Sequence, residues 1–277
     1  MRAGDREFEI EYGLLVDAIY HLYHYDFRAY AQGSLRRRLR SAMIRFECRS
    51  LSQLQDKIMH DPAFFPLLLD YLTVQVSDMF RDPAYFRALR EQVVPLLRTY
   101  PSLKVWVAGC STGEEAYSLA ILLQEEGLLS KTLIYATDIN PRTLQKAAAG
   151  VFGVERMAGF TANHQQSGAR SSLSEYYTAA YGGAVFEKPL RDHIVFSDHS
   201  LATDSVFAEV QLVSCRNVLI YFDRALQDRA LGLFHEALCR NGFLGLGSKE
   251  SLRFSARADG FADFARNEKI FQKRSLR

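Results

Sequence analysis

The chain changes rhythm near residue 75, and that break constrains the fold more than any other feature. Before it, apolar residues recur at three- and four-residue steps: Phe8, Tyr12, Leu15, Ile19 and Leu22, then Leu35, Leu39, Met43 and Phe46, then Leu51, Leu54 and Ile58. Such spacing places each set on one face of a helix. A further helix is expected after Asp61-Pro62, because proline suits a first helical turn; it would carry Phe64, Leu67, Leu68, Tyr71 and Leu72. Residues 1–76 therefore read as a small all-helical domain, and 77–90 as a linker.

After about residue 100, strands and helices alternate. Residues 103–108 form a short apolar strand, 109–113 a turn, and Glu114 through Glu126 a helix. A second strand, 133–137, ends in Asp138, and Asn140-Pro141 opens another helix. A third strand is expected at 210–215, a helix from Asp223 to Cys239 and a strand at 242–246. This predicts an α/β domain over 91–277 with a mostly parallel, doubly wound sheet. Its ligand should sit at the carboxyl ends of the strands. The polar stretch 161–172 reads as a loop and 182–186 as part of a hairpin, so a small β insertion is expected at about 155–195.

Composition narrows the class. With 277 residues, 48% of them apolar, the chain is too hydrophobic to be disordered. No apolar run approaches the ~20 residues of a membrane span, and the charged start leads to no signal-peptide core. A cytoplasmic monomer that does not insert into the membrane is expected. Cys48, Cys110, Cys215 and Cys239 form no C-x-x-C pair, and His21, His24, His164, His193 and His199 have no metal-ligand spacing, so no metal is expected. The net charge of +2 hides a segregation: between Arg28 and Arg49 lie seven arginines and one acid, Glu47. The commonplace reading is a solvated helix face. The sharper one is a docking surface for an acidic partner, with Arg36, Arg37 and Arg40 as its contacts.

The turn at 109–113 carries the chemistry. It offers only Gly109 and Gly113, short of a dinucleotide fingerprint, and no Gly-Lys-Ser/Thr follows. Glu114 and Glu115 at the helix start would repel a pyrophosphate that the same N–H groups might otherwise bind. Thr112 and Glu115 also have capping-box spacing. Asp138 closes the second strand 25 residues past Gly113, where an acid accepts from both ribose hydroxyls. An adenosine ligand with a cationic tail fits this pattern, which favours S-adenosyl-L-methionine over NAD.

Four blocks then occur in order: Val76-Ser77-Asp78-Met79-Phe80-Arg81-Asp82-Pro83; Ala108-Gly109-Cys110-Ser111-Thr112-Gly113-Glu114-Glu115-Ala116-Tyr117-Ser118; Ala136-Thr137-Asp138-Ile139-Asn140; and Cys215-Arg216-Asn217-Val218-Leu219-Ile220-Tyr221-Phe222. Together they closely resemble the chemotaxis-receptor methyltransferases of the CheR family, over nearly the whole chain. The resemblance implies a Rossmann-like, S-adenosylmethionine-dependent domain behind an all-helical domain, with a small antiparallel β insertion. It implies methyl transfer to glutamates on the cytoplasmic helices of chemoreceptors, leaving S-adenosyl-L-homocysteine. Residue by residue, it implies that Ser77 and Arg81, with Gln75 beside them, contact the cofactor from the junction. Glu114 would face its methionine end, Asp138 the ribose and Ser200-Leu201 the adenine, with Gly109, Arg216 and Asn217 lining the pocket. Arg216 and Tyr221 would hold the substrate carboxylate beside the methyl group.

Three departures stand out: Gln75-Val76-Ser77 replaces the family's Asn-x-Thr, Ser200 replaces Asn, and Gly247-Ser248-Lys249-Glu250-Ser251-Leu252 replaces Gly-His/Tyr-Ser-Glu-Ser-Leu. They motivate an alternative, a non-catalytic module of this fold that binds S-adenosylmethionine as a signal. A nucleic-acid methyltransferase would use the arginine run as a phosphate track, but no aromatic platform accompanies it, and no nucleic-acid partner is expected. The chemistry needs no base: a glutamate, with a reference pKa of about 4.3, is already an ionised nucleophile. Positioning and desolvation should dominate. Arg216→Ala is expected to abolish methylation and leave the fold intact.

Overall fold

The computed structural model describes residues 3–253 and 255–274. Residues 1–2, 254 and 275–277, which fall inside the expected domain bounds, lie outside the described residues. Helices α1 (Ala3–Tyr23), α2 (Gln32–Arg45), α3 (Leu51–His60) and α4 (Phe65–Leu72) form the helical front. Their periodic residues meet: Leu15, Ile19, Leu35, Leu39, Leu51, Leu54 and Leu68 share one buried core, distinct from the cores around the sheet. Glu11 of α1 accepts from the Leu51 backbone N–H (2.9 Å) and the Ser52 hydroxyl (2.7 Å), tying α1 to the start of α3. Pro62 does not open α4. Residues 62–64 turn first, and the proline in the first helical turn is Pro66.

The expected linker is part of the second domain's core. Met79, Phe80, Tyr85 and Phe86 are all buried against it. α5 (Pro83–Ala88) runs through a π-turn at Leu89–Val93 into α6 (Val94–Leu97). Pro95, which has no N–H to return to the preceding turn, follows the widened stretch.

Then come β1 (Leu103–Ala108), α7 (Glu114–Glu125), β2 (Thr132–Asp138) and α8 (Pro141–Ala149). The insertion contains β3 (Val151–Gly153), α9 (Met157–Gln166), β4 (Tyr177–Ala180), β5 (Gly183–Phe186) and α10 (Lys188–Arg191). The remainder is β6 (Ile194–Asp198), β7 (Val210–Cys215), α11 (Arg224–Ala237), β8 (Leu238–Leu246), β9 (Phe261–Ala265) and β10 (Ile270–Lys273).

Seven strands make one mixed sheet in the order β6-β2-β1-β7-β8-β10-β9. The first five are parallel; β10 runs antiparallel to β8, and β9 to β10. Both faces are covered. Leu103, Val105 and Val107 join the core on the α7 side, while Trp106 and Ala108 join the core under α11, as the two-residue alternation of a strand requires. The chain steps outward from β1 to β2 and β6 on one side and to β7 and β8 on the other. The switch point is thus the crevice at the ends of β1 and β7.

The insertion is a separate three-stranded antiparallel sheet, β3-β5-β4, and opens already at Val151. The expected hairpin is present, turning through Tyr181 and Gly182 with φ of 50° and 78°. The expected loop at 161–172 is wrong in its first half, because α9 covers 157–166 and buries Met157, Phe160 and His164 on one face. The last parallel strand also starts earlier than expected, at Leu238 directly after α11. Among the described residues, no helix is long and apolar enough to cross a membrane.

Candidate functional site

The ends of β1, β2 and β7 open into a cleft enclosing about 1020 Å³, mouth included, between the sheet and the helical front. The sheet side contributes Gly109, Ser111, Glu115, Asp138, Ile139, His199, Leu201, Arg216, Asn217, Val218 and Tyr221. The front contributes Tyr30 just before α2, Ser34, Leu35 and Arg38 from its first two turns, and Thr73, Val76, Ser77 and Arg81 from the junction. The two sides are joined by backbone. Ala31 N–H donates to the Tyr221 carbonyl (2.7 Å) and Asp223 N–H to the Ala29 carbonyl (2.9 Å), with Tyr30 bridging Phe222.

Asp138 stands where the sequence placed it. Its carboxylate accepts from the Ser111 N–H (2.9 Å) and the Asn140 N–H (3.1 Å). Burial raises its pKa, and these backbone donors together with Ile139 oppose that rise. Asn140 caps α8 as expected, accepting from the N–H groups of Arg142 and Thr143.

The paired acids of α7 face different ways. Glu114 is fully buried off the cleft, accepting from the Thr112 hydroxyl (2.7 Å) and from Arg156 (2.7 Å). Glu115 is the one that lines the cleft, and no capping box forms, because Gly113 (φ 95°) is the cap residue and has no side chain to offer. Two more expected contacts lie outside the cleft wall. Gln75 donates to Asp70 (3.2 Å), and the Ser200 hydroxyl turns back to accept from Ala202 N–H (3.3 Å). Ser77, Arg81, Gly109, Leu201, Arg216, Asn217 and Tyr221 do line it.

Arg216 is not a free fork for a substrate. Its guanidinium donates to Glu115 (2.9 Å), to Asp82 (2.8 Å) and to the Arg81 carbonyl (2.8 Å), and it lies 4.1 Å over the Tyr85 ring. Ser214 completes the clamp by donating to Glu115 (2.6 Å). The docking arginines are partly committed too. Arg36 pairs with Glu9 and lies over Tyr12, and Arg40 lies over Phe8, while Arg37 is exposed.

Two residues that brace the cleft carry no signal in their own spacing. Glu250, buried behind the β7 loop, accepts from the N–H groups of Gly247 (2.6 Å) and Asn217 (3.0 Å). It thereby fixes the turn that presents Asn217 and Tyr221. Arg156 ties the insertion to the start of α7 through Glu114 and to the junction through Asp78 and the Ser77 carbonyl. Backbone strain gathers here as well: Phe80, Asp82, Ser111 and Asn217 all have positive φ between 51° and 61°.

The cleft fits S-adenosylmethionine. Three buried polar atoms in its lining residues have no partner among the described residues: Ser111 Oγ, His199 Nδ1 and Arg216 Nε. A polar ligand with donors and acceptors of its own suits them. Asp138 can accept from a ribose diol, and Glu115 is placed to attract a cationic tail. At Gly109 (φ 73°) an added Cβ would lie 2.4 Å from Val218 Cγ2, so the turn keeps its bare backbone at the cleft wall.

Comparison with known proteins agrees with the two-part architecture. Residues 75–265 match the family described as CheR methyltransferase, SAM binding domain, and residues 10–73 match CheR methyltransferase, all-alpha domain. The Cher3 protein of Pseudomonas putida is 58% identical over 270 residues, spanning 98% of this chain and 99% of that one. A chemotaxis protein methyltransferase of Salmonella typhimurium is 30% identical over 223 residues (78% and 73% of the two chains). One from Listeria monocytogenes is 29% identical over 229 residues (82% and 84%). Among solved structures, a TehB-like SAM-dependent methyltransferase from Corynebacterium glutamicum aligns at 14% identity and a TM-score of 0.38, over 68% of this chain and 85% of that one. The helical front, the parallel sheet and the cleft at its switch point therefore have one explanation: the chain belongs to the CheR methyltransferase family and uses S-adenosylmethionine.

Proposed function

We propose that the protein methylates side-chain carboxylates of glutamates on the cytoplasmic helices of chemoreceptors. The observation that carries this reading is the convergence, in one cleft, of an adenosine-binding acid at the end of β2 with Tyr221 and cationic side chains at its mouth. S-adenosylmethionine, when bound, would supply a sulfonium methyl group to the carboxylate oxygen, the electron pair of the broken C–S bond staying on sulfur.

No proton is released, and no side chain has to act as a base. The protein's part is to orient and to exclude water. Asp138 would accept from the ribose. Glu115, held by Arg216 and Ser214, presents a fixed negative charge to the cationic end of the cofactor. Arg81 offers a cation to its carboxylate. Tyr221 is fixed by the backbone bond from Ala31 and by its own turn, so its hydroxyl can align the substrate. The receptor is the partner, the reaction takes place in the cytoplasm, and the chain acts as a monomer.

The exposed Arg37 and the rest of the basic stretch of α2 suit an acidic helical bundle, and this supports docking there. Arg36 and Arg40 contribute less than their number suggests, because each is packed on α1. The reading is tested by incubating receptor cytoplasmic fragments with the protein and labelled cofactor. Label that appears in base-labile esters on glutamate supports it, and label confined to other residues refutes it.

A further inference from the structure

Charge in the cleft is unevenly matched. Arg216 is paired with Glu115 and Asp82, and Asp138 is bonded to backbone N–H groups. Among the described residues, that leaves two lining cations that no carboxylate pairs with, Arg38 and Arg81. Two carboxylates must enter this cleft during turnover: that of the cofactor's methionine end and that of the substrate glutamate. Arg81 sits on the junction beside Glu115, through the Arg216 that bridges them, and so belongs to the cofactor's end.

Arg38 sits on the other flank. It is half-buried in the second turn of α2, with its guanidinium 5.4 Å from the centre of the Tyr221 ring. One of its nitrogens donates to the Thr73 carbonyl (2.9 Å), and Nε reaches the Ser34 hydroxyl at 3.4 Å. The charged or titratable neighbours that act on it are Tyr221 and another cation, Arg37; burial lowers its pKa. An arginine kept charged and partly desolvated without an anion is costly unless an anion arrives. Its planar fork suits a carboxylate.

We propose that Arg38 is the substrate-binding residue that receives the glutamate carboxylate at the mouth of the cleft, a role that Arg216, already clamped, cannot fill. This rests on the reading of the protein as a glutamate methyltransferase. Arg38 holds one carboxylate oxygen while the other faces the methyl group beside Tyr221. It also separates substrate from product, because a methyl ester has lost the charge that the guanidinium attracts. In the same way it separates glutamate from glutamine.

The test uses the full chain, saturated with S-adenosylhomocysteine so that no turnover occurs, and a receptor cytoplasmic fragment that the wild type methylates. Binding of two versions of that fragment, with Glu or with Gln at the methylated position, is compared by calorimetry for wild type, Arg38→Gln and Arg38→Lys. Wild type should prefer Glu by about tenfold or more, the expected worth of a charge-assisted pair. Arg38→Gln should lose that preference, Arg38→Lys should keep part of it, and both should bind S-adenosylhomocysteine with wild-type affinity. A preference for Glu that survives in Arg38→Gln overturns the assignment. So does a loss shared equally with Arg38→Lys and accompanied by weakened S-adenosylhomocysteine binding, which would mark a structural role through Thr73. If the wild type methylates no glutamate on any receptor fragment, the reading of function fails first, and this inference falls with it.

Discussion

Arg216 and Glu115 form an ion pair at 2.9 Å inside the cleft wall, with their side chains 1% and 12% exposed. The pair makes Arg216 part of the architecture as well as part of the site. Removing the arginine leaves Glu115 and Asp82 without their cation, and breaking a buried pair from one side costs about 3–5 kcal/mol. Arg216→Ala should therefore lose stability on that scale in urea unfolding without ligand, in addition to losing activity. This replaces the expectation from sequence of a fold-neutral loss. Pairing Arg216→Met with Glu115→Gln should recover part of the stability but not the activity. An Arg216→Ala protein as stable as wild type would contradict the clamp.

Asp138 gives a pH signature. Burial raises its pKa above the ordinary aspartate value. Ribose hydroxyls donate best to the ionised form, so binding favours loss of the proton. The sign follows: S-adenosylhomocysteine affinity should be full above the raised pKa and fall as the pH drops through it, beginning at a higher pH than an ordinary aspartate would give. Calorimetry across that range measures it. Asp138→Asn should bind weakly, with a flat profile over the same window; an Asn variant with wild-type affinity would remove the ribose role.

Gly109 is intolerant for two separate reasons. Its φ of 73° disfavours a side chain, and an added Cβ would press within 2.4 Å of Val218 Cγ2. Gly109→Ala should cost roughly 1–3 kcal/mol of stability, measured by denaturant midpoint. Adding Val218→Ala should restore only the part due to the clash, because the backbone strain remains. Full restoration would show that strain plays no part.

Which parts of the site could be read from sequence follows from what spacing encodes. Asp138 was legible because the carboxyl ends of parallel strands border the crevice, and it stands at such an end. Glu114 and Glu115 were not separable, since neighbours on a helix differ by about 100° and the phase of α7 depends on the turn through Gly113. Arg38 was hidden among six similar arginines; only the contact between α2 and the Tyr221 turn distinguishes it. Four strands of the sheet, β1, β2, β7 and β8, were legible as short apolar runs, whereas β6, β9 and β10, short and partly exposed, were not. α9 was missed because its buried face is so narrow that its polar residues dominate the composition.

Glu250 is a positioning residue that acts through backbone. Its carboxylate gathers the N–H groups of Gly247 and Asn217 under the turn that carries Tyr221. Glu250→Ala should lower kcat by about tenfold or more, since small displacements of aligned groups are expensive. The KM for a receptor fragment should change much less. A fall confined to KM would place Glu250 in docking instead.

The central claim is that this cleft builds glutamate methyl esters. The most direct measurement is peptide mass spectrometry of receptor cytoplasmic fragments incubated with the protein and S-adenosylmethionine, before and after mild alkaline treatment. The account predicts a gain of one CH2 on defined glutamates, lost in alkali and absent with Asp138→Ala. Fragments left unmodified across the receptors of the host cell, or an alkali-stable gain on another residue type, would contradict it.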